Sequence, residues 1–248
     1  MGHRGMGKEY HYPDNSFESI EAVLKYGADG TEIDVQITKD SVLVIFHNTE
    51  LSDKTNYQGM LRDYDWADLD SCTYNSPVSQ DIHLISVDDL FGRVPDIQKY
   101  YFSFDIKFSP KDEPRTPYFR QFVYAIKQVI EKYAMHDRVM IEVGNIQFLQ
   151  MLQQDEVQAM RFVTGKKFKD ALRIAEDLNL YGIGIGSKIT RKEIEIAHSQ
   201  GFRVMTWTPT TPRKNIRAIK KNPDFIQTDQ PVHMLKLFGR YKNWQVEK

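Results

Sequence analysis

The sequence predicts a (β/α)8 barrel, and three observations predict it. Short apolar runs rich in β-branched and aromatic residues alternate with stretches of helical periodicity from end to end, the rhythm of βα units around a parallel sheet. Nine such runs occur, and one of them is too close to its predecessor to be parallel to it, which leaves eight. No fixed-period repeat and no Pro/Ser-rich linker interrupts the alternation, so residues 1–248 read as a single domain.

The elements follow in order. The chain opens on a strand at His3-Arg4, so short that the first strand of the barrel reads as clipped, with His3 anchored by its backbone on one side only. Upstream residues supplying an apolar strand are therefore expected. Gly5 and Gly7 read as the tight turn of a strand-to-helix connection, because the spacing and the following Ser or Thr of a phosphate loop are missing. Asn15 followed by Glu18 reads as a capping box for a helix carrying Phe17, Ile20, Val23 and Leu24 and closed by Gly27.

Strand runs come next at Thr31–Ile37 and Val42–Phe46. Between them lie only Thr38, Lys39, Asp40 and Ser41, too few for a crossover, so the second run folds back as a hairpin arm. An irregular insertion from about Asn48 to Ile85 follows the hairpin. The remaining strand runs are Tyr101–Lys107, Val139–Val143, Met160–Val163, Tyr181–Ile185, Phe202–Trp207 and Phe225–Gln227. Phe119, Phe122, Val123, Ile126, Val129, Ile130 and Tyr133 mark one buried helix face, and Thr190 with Glu193 caps a second helix that Gly201 ends.

Composition sets the outer bounds. With 33 basic against 34 acidic residues the net charge is −1, so no general attraction to nucleic acid or anionic lipid exists, and any phosphate binding is local. Cys72 is the only cysteine, which excludes an internal disulfide and a thiolate metal site, and it reads as a small core residue. The longest apolar run, Val42–Phe46, falls far short of the roughly 18 residues that span a bilayer, so no stable membrane insertion is expected. Met1-Gly2-His3-Arg4 contains no signal-peptide core. The compartment expected is cytoplasmic for the chain as written, and periplasmic or cell envelope if an export signal stood upstream.

Folding the hairpin about Lys39 and Asp40 sets His47 across from Glu32, with Asp34 two residues along on the same face. That face reads either as a site or as a solvated hairpin surface. Two things favour a site: Glu32-Ile33-Asp34-Val35 lies in an apolar setting where charge is costly unless paired or metal-bound, and Asp105 and Lys107 sit at the end of another strand. Glu32, Asp34 and Asp105 together offer only oxygen ligands, the donor set of one hard divalent cation, calcium or magnesium.

In these residues the sequence resembles the glycerophosphodiester phosphodiesterase family. The resemblance runs through Gly2-His3-Arg4-Gly5, Asp14-Asn15-Ser16, Glu32 to Asp40, Phe46-His47-Asn48, Asp105-Ile106-Lys107, Val204 to Thr208 and Phe225 to Pro231, in the family's order. It implies a metal-dependent TIM barrel that hydrolyses a glycerophosphodiester to glycerol 3-phosphate and an alcohol. By matched position it implies His3 and His47 as the acid–base pair, Glu32, Asp34 and Asp105 as metal ligands, and Arg4 and Lys107 as phosphate contacts. Asp105 stands where most members have a glutamate, a feature that resembles the related spider-venom phospholipase D enzymes.

Trp207 ends a strand at the catalytic face and is a candidate substrate contact. Asp14-Asn15-Ser16 replaces the usual Glu-Asn-Thr, and Asp53-Lys54-Thr55 replaces an Arg-Thr-Thr run. Glu142 is either a fourth acidic group in the site or a surface residue. His11, His83, His136, His198 and His233 lack matching partners and read as structural, as do Trp66 and Trp244. The alternatives carried beside hydrolysis of a small-molecule glycerophosphodiester are a phospholipase D-like cleavage of lysophospholipids and a non-catalytic phosphate-binding barrel.

Overall fold

Every β-rich run becomes a strand in the computed structural model, which describes residues 1–7, 12–76, 81–109 and 115–243. The strands are β1 (Gly2–His3), β2 (Gly30–Ile37), β3 (Leu43–Ile45), β4 (Tyr101–Ile106), β5 (Val139–Val143), β6 (Met160–Val163), β7 (Gly182–Gly186), β8 (Arg203–Trp207) and β9 (Phe225–Gln227). Between them run α1 (Phe17–Lys25), α2 (Val87–Arg93), α3 (Arg115–Lys132), α4 (Ile146–Gln154), α5 (Phe168–Asp177), α6 (Arg191–Ser199), α7 (Pro212–Lys221) and α8 (Pro231–Leu237). All strands except β3 pair in parallel in the order β1-β2-β4-β5-β6-β7-β8-β9, and β3 lies antiparallel to β2 as the hairpin arm.

A bridge between Gly2 and Thr228, just beyond β9, closes the sheet on itself. β1 is only two residues long, yet it is held on both sides: His3 is in register with Glu32 of β2, and its N–H donates to the Thr228 carbonyl at 3.1 Å. The expectation that His3 is anchored on one side only is corrected, because residues 1–3 and 226–228 exchange backbone hydrogen bonds beside the pairing with β2.

Alternation along the strands sorts the side chains. Ile33, Val35 and Ile37 join the main core with helix residues such as Ile20 and Val23, whereas Met140, Phe162 and Met205 form a separate buried cluster of their own. Register then sets Asp34, Asp105 and Glu142 abreast on three neighbouring strands. α3 buries Phe119, Phe122, Val123, Ile126, Val129 and Ile130, the face the sequence spacing marks.

The insertion after β3 is built of short 3₁₀ turns around its own core, which includes Phe46, Leu51, Leu61, Leu69 and Tyr74 and holds the fully buried Cys72. Trp66 packs against that cluster, while His11 and Trp244 lie outside the described residues.

Two local expectations shift. Ser16, not Asn15, caps α1: its hydroxyl accepts from the Ser19 N–H at 3.2 Å, and Asn15 is free to turn inward. Gly27 follows the helix at φ 106°, the left-handed C-terminal position expected of it. In the hairpin, Val35 pairs with Ile45 and Gln36 with Val44, one residue out of step with the predicted register. Phe46 therefore faces Asp34, its N–H donating to the Asp34 carbonyl at 2.9 Å, and His47 does not lie across from Glu32. Thr190 and Glu193 do form the predicted capping box, with Gly201 at φ 86° after the helix.

Candidate active site

The carboxylates of Glu32, Asp34 and Asp105 converge at the strand ends, each offering an oxygen within 4.8 Å of the other two. Glu32 and Asp34 are only 1% and 0% exposed, so their charge must be met inside the protein. Lys107, two residues beyond Asp105, brings its Nζ to 2.5 Å from Asp105 Oδ2 and 3.1 Å from Asp34 Oδ1. Arg4 Nε lies 2.9 Å from Asp34 Oδ2, and its Nη1 lies 3.3 Å from Asp14 Oδ2. The Arg4 backbone, held at φ 57°, also turns its N–H onto Glu32 Oε2 at 2.9 Å.

These neighbours set the protonation of the cluster. Burial, reinforced by Asp34, Asp105 and Glu142, holds the Glu32 carboxyl well above the ordinary range. Asp105 is also raised by burial and by Asp34, although Lys107 works against the shift. Burial alone would disfavour the Lys107 ammonium, yet Asp34 and Asp105 outweigh it and raise its pKa. Glu142 is 3% exposed and therefore no surface residue. It accepts hydrogen bonds from Ser103 Oγ and Gln227 Nε2, and burial followed by the Asp105 charge lifts it to about 8.

Two buried oxygens are left over among the described residues. Neither Glu32 Oε1 nor Asp34 Oδ1 has a hydrogen-bond partner there, and Asp34 Oδ1 has Lys107 only as an ionic neighbour at 3.1 Å. An orphaned carboxylate oxygen beside two further carboxylates is the environment a hard cation satisfies, so the residues present fit a divalent ion.

Of the two candidate histidines, His3 borders the cluster. His3 Nδ1 lies 2.6 Å from Asp229 Oδ1, and its Nε2 lies 3.8 Å from Glu32 Oε2. His47 follows β3 and spends Nδ1 on Asn48 Oδ1 at 2.9 Å, while Asn48 Nδ2 is held by Asp53. Its hydrogen bond is thus to the insertion and not to the acidic cluster. Trp207 ends β8 with its ring over β7: a Cβ on Gly184 would come within 3.0 Å of Trp207 Cζ3 and 3.7 Å of Glu142 Oε2. A cavity of about 550 Å³ opens at this end, lined by His3, Arg4, Asp14, Lys54, Thr208, Thr210 and Asp229. A larger groove of about 810 Å³ between the hairpin and α3 shares none of these residues.

The fold thus gathers His3, Arg4, Glu32, Asp34, Asp105 and Lys107, and it adds residues to which the sequence alone assigned no place in the site. Asn15 Nδ2 donates to Asp34 Oδ2 at 2.8 Å, and its Oδ1 accepts from the Asp34 N–H at 3.1 Å. Asp14 bridges Arg4 and Lys54, and these cations hold its carboxyl below the usual range against the effect of burial. Asp229 had a readable signal, an acid just past a barrel strand, whereas the Asp14–Lys54 contact joins the first loop to the insertion and depends on the tertiary fold. Of the remaining histidines, His198 pairs with Asp224 at 2.8 Å, His83 meets the Asp70 carbonyl at 3.1 Å and His233 meets Asn215 at 3.2 Å.

Comparison with known proteins gives a consistent picture. A family model described as the glycerophosphoryl diester phosphodiesterase family matches residues 3–233. A glycerophosphodiester phosphodiesterase of Bacillus altitudinis is 30% identical over 142 residues, which cover 57% of this chain and 56% of that protein. Among solved structures, a glycerophosphodiester phosphodiesterase from Parabacteroides distasonis superposes with a TM-score of 0.80 at 20% identity, covering 96% of this chain and 95% of the other. An Oleispira antarctica phosphodiesterase, solved in complex with the product sn-glycerol-3-phosphate, superposes with a TM-score of 0.81 at 16% identity, covering 96% and 95%.

Proposed function

The chain belongs to the glycerophosphoryl diester phosphodiesterase family, and from that premise we propose that it hydrolyses a glycerophosphodiester to glycerol 3-phosphate and an alcohol by histidine acid–base catalysis at a divalent cation. The observation that carries the proposal is the convergence of three carboxylates, two of them buried, with two cationic side chains beside a histidine backed by a carboxylate.

Glu32, Asp34 and Asp105 would hold the cation, calcium or magnesium, which when bound supplies charge stabilisation for the phosphoryl oxygens. Arg4 and Lys107 are the side chains that would meet the remaining negative charge of the diester, and their carboxylate partners orient them for it. Asp229 fixes the tautomer of His3: with Nδ1–H donating to the carboxylate, Nε2 is the nitrogen left to take or give a proton. Asn48 Oδ1 does the same for His47, because Asp53 engages the Asn48 amide nitrogen and leaves the oxygen to accept from Nδ1. One ring would draw the proton from the attacking hydroxyl or water, and the other would protonate the departing alcohol. Trp207, at the end of β8, would offer an apolar face to the glycerol or the alcohol.

The test is turnover of glycerophosphocholine with and without a chelator, alongside His3→Ala and His47→Ala. Activity should vanish with the chelator and return with calcium or magnesium, and each substitution should lower kcat by roughly 10²- to 10⁴-fold, the range for losing a general acid or base. Full turnover in excess chelator, or a near-native rate in either variant, would sink the assignment concerned.

A further inference from the structure

The charge of this protein is balanced overall but not locally. The insertion, residues 48–85, carries seven acidic side chains against two basic ones. The loops and first helical turns that follow β6, β7 and β8 carry the reverse, eight cations against two anions across residues 164–170, 187–193 and 208–214. These three strands are hydrogen-bonded neighbours in the parallel sheet, so the three loops lie side by side at the C-terminal end of the barrel, the end that holds the site.

Helix electrostatics do not explain the cations. A helix N-terminus is positive and favours acidic side chains, and α1 and α2 obey with Glu18 and with Asp88 and Asp89 in their first turns. α5 has Asp170 in its first turn, yet it takes Lys167 as its N-cap residue, without a side-chain cap bond, and Lys169 beside that acid. α6 sets Arg191 and Lys192 ahead of its capping Glu193, and α7 has no acid in its first turn but Arg213 and Lys214. Seven of the eight cations flank or occupy helix starts, where they cost stability. Lys188 is the eighth.

Nor are they spent on ion pairs. Among the described residues, Arg191 alone of the eight pairs with a carboxylate, Glu195 on the next turn at 2.9 Å, and the rest are exposed. The basic surface reaches the site directly, because Lys214 Nζ donates at 2.8 Å to Thr210 Oγ1, and Thr210 lines the mouth cavity with His3 and Arg4. A band of cations, all but Arg191 without a carboxylate partner among the described residues, that opposes its own helix dipoles and starts at a phosphodiester mouth faces negative charge continuing beyond the scissile phosphate.

Building on the proposed hydrolysis, we infer that this enzyme prefers polyanionic glycerophosphodiesters, whose alcohol carries at least one further phosphate, and that the loops after β6, β7 and β8 bind that second phosphate. The substrate class is set by charge and not by a pocket for one head group.

Three probes separate the terms: glycerophosphocholine, with no net charge; glycerophosphoglycerol, with one negative charge; and bis(glycerophospho)glycerol, in which a second phosphodiester continues from the same glycerol head group. The native enzyme should show a kcat/KM about ten-fold or more higher for the third probe than for the second, through KM, with the advantage shrinking as salt is raised. Lys166→Glu, Lys167→Glu and Lys188→Glu combined should bring the two within about two-fold while leaving glycerophosphocholine turnover unchanged. Because Glu suits a helix N-terminus, this variant should melt no lower than the native protein.

Equal kcat/KM for the second and third probes in the native enzyme would overturn the inference, as would an equal loss on all three probes in the variant. Charge-dependent binding to phosphatidylglycerol vesicles without the substrate preference would overturn it in favour of a lipid surface. Failure to turn over any probe would instead sink the hydrolytic reading on which the inference rests.

Discussion

Asn15 stands in the left-handed region at φ 67°, fully buried, with both ends of its amide on Asp34. It holds a proposed metal ligand by backbone and side chain together, which fixes where the carboxylate points. Asn15→Ala should therefore weaken divalent-cation affinity by about 10- to 100-fold, the usual loss when a ligand's supporting contact is removed. It should also cost roughly 1 to 3 kcal/mol of stability through the unpaired Asp34 N–H. Calorimetric titration with calcium and urea unfolding check the two effects, and unchanged affinity would show that Asp34 needs no such support.

The same residue marks a limit of the sequence. Asn beside Ser before an amphipathic helix reads as a cap, and either residue type can cap. Ser16 takes that role, and only the fold reveals that Asn15 turns to Asp34, nineteen positions along. Glu32 and Asp34 were legible because charge in an apolar strand is costly and therefore conspicuous, and Asp105 and Lys107 because they are charges at the end of another strand. Asp229 was visible in the sequence, but its pairing with His3 needs the barrel to bring residues 226 apart in sequence into contact.

At the scale of elements, all nine strands were legible from alternation and length, since a pleated half-buried surface selects for β-branched and aromatic residues. The hairpin register was not. Thr38 fixes it: its N–H donates to the Val42 carbonyl at 3.0 Å, and its hydroxyl accepts from the Val42 N–H at 3.0 Å, which closes the turn one residue later than a fold about Lys39 and Asp40. Side-chain caps of this kind compete with regular pairing and are invisible to a count of residues. Closing the turn there puts Ser41 at φ 71°, a region that L-residues enter reluctantly. Ser41→Gly relieves that strain but makes the unfolded chain more flexible, and the strain is the larger effect where φ is positive. The variant should be more stable by a few tenths to about 1 kcal/mol, read as a shift of the urea midpoint at constant slope. A lower midpoint would mean that the serine backbone is unstrained.

For the whole molecule, the barrel encloses more acidic groups than its own cations can neutralise, and that imbalance ties stability to pH and to metal. Glu142 carries the sign most plainly, because burial and then the Asp105 charge raise its pKa from 4.5 to about 8. A folded-state pKa above the unfolded value means that the native state holds the proton more tightly. The stability so gained is fully present below about 4.5 and is lost as pH rises through about 8. The metal-free protein should therefore melt lower at pH 8 than at pH 5, and Glu142→Gln, which keeps an uncharged acceptor for Ser103 and Gln227, should flatten the dependence. A divalent cation reverses the slope, because its ligands must be deprotonated to bind it. At about 100 times its dissociation constant a cation that binds only the native state adds about 2.7 kcal/mol, or roughly 5 to 10 °C in a chain of this size. Thermal melts across pH 5 to 8, with calcium or magnesium and with chelator, check both parts. A metal-free protein that melts higher at pH 8, or a cation effect larger at pH 5 than at pH 8, would show that the interior carboxylates are already ionised and balanced without an ion.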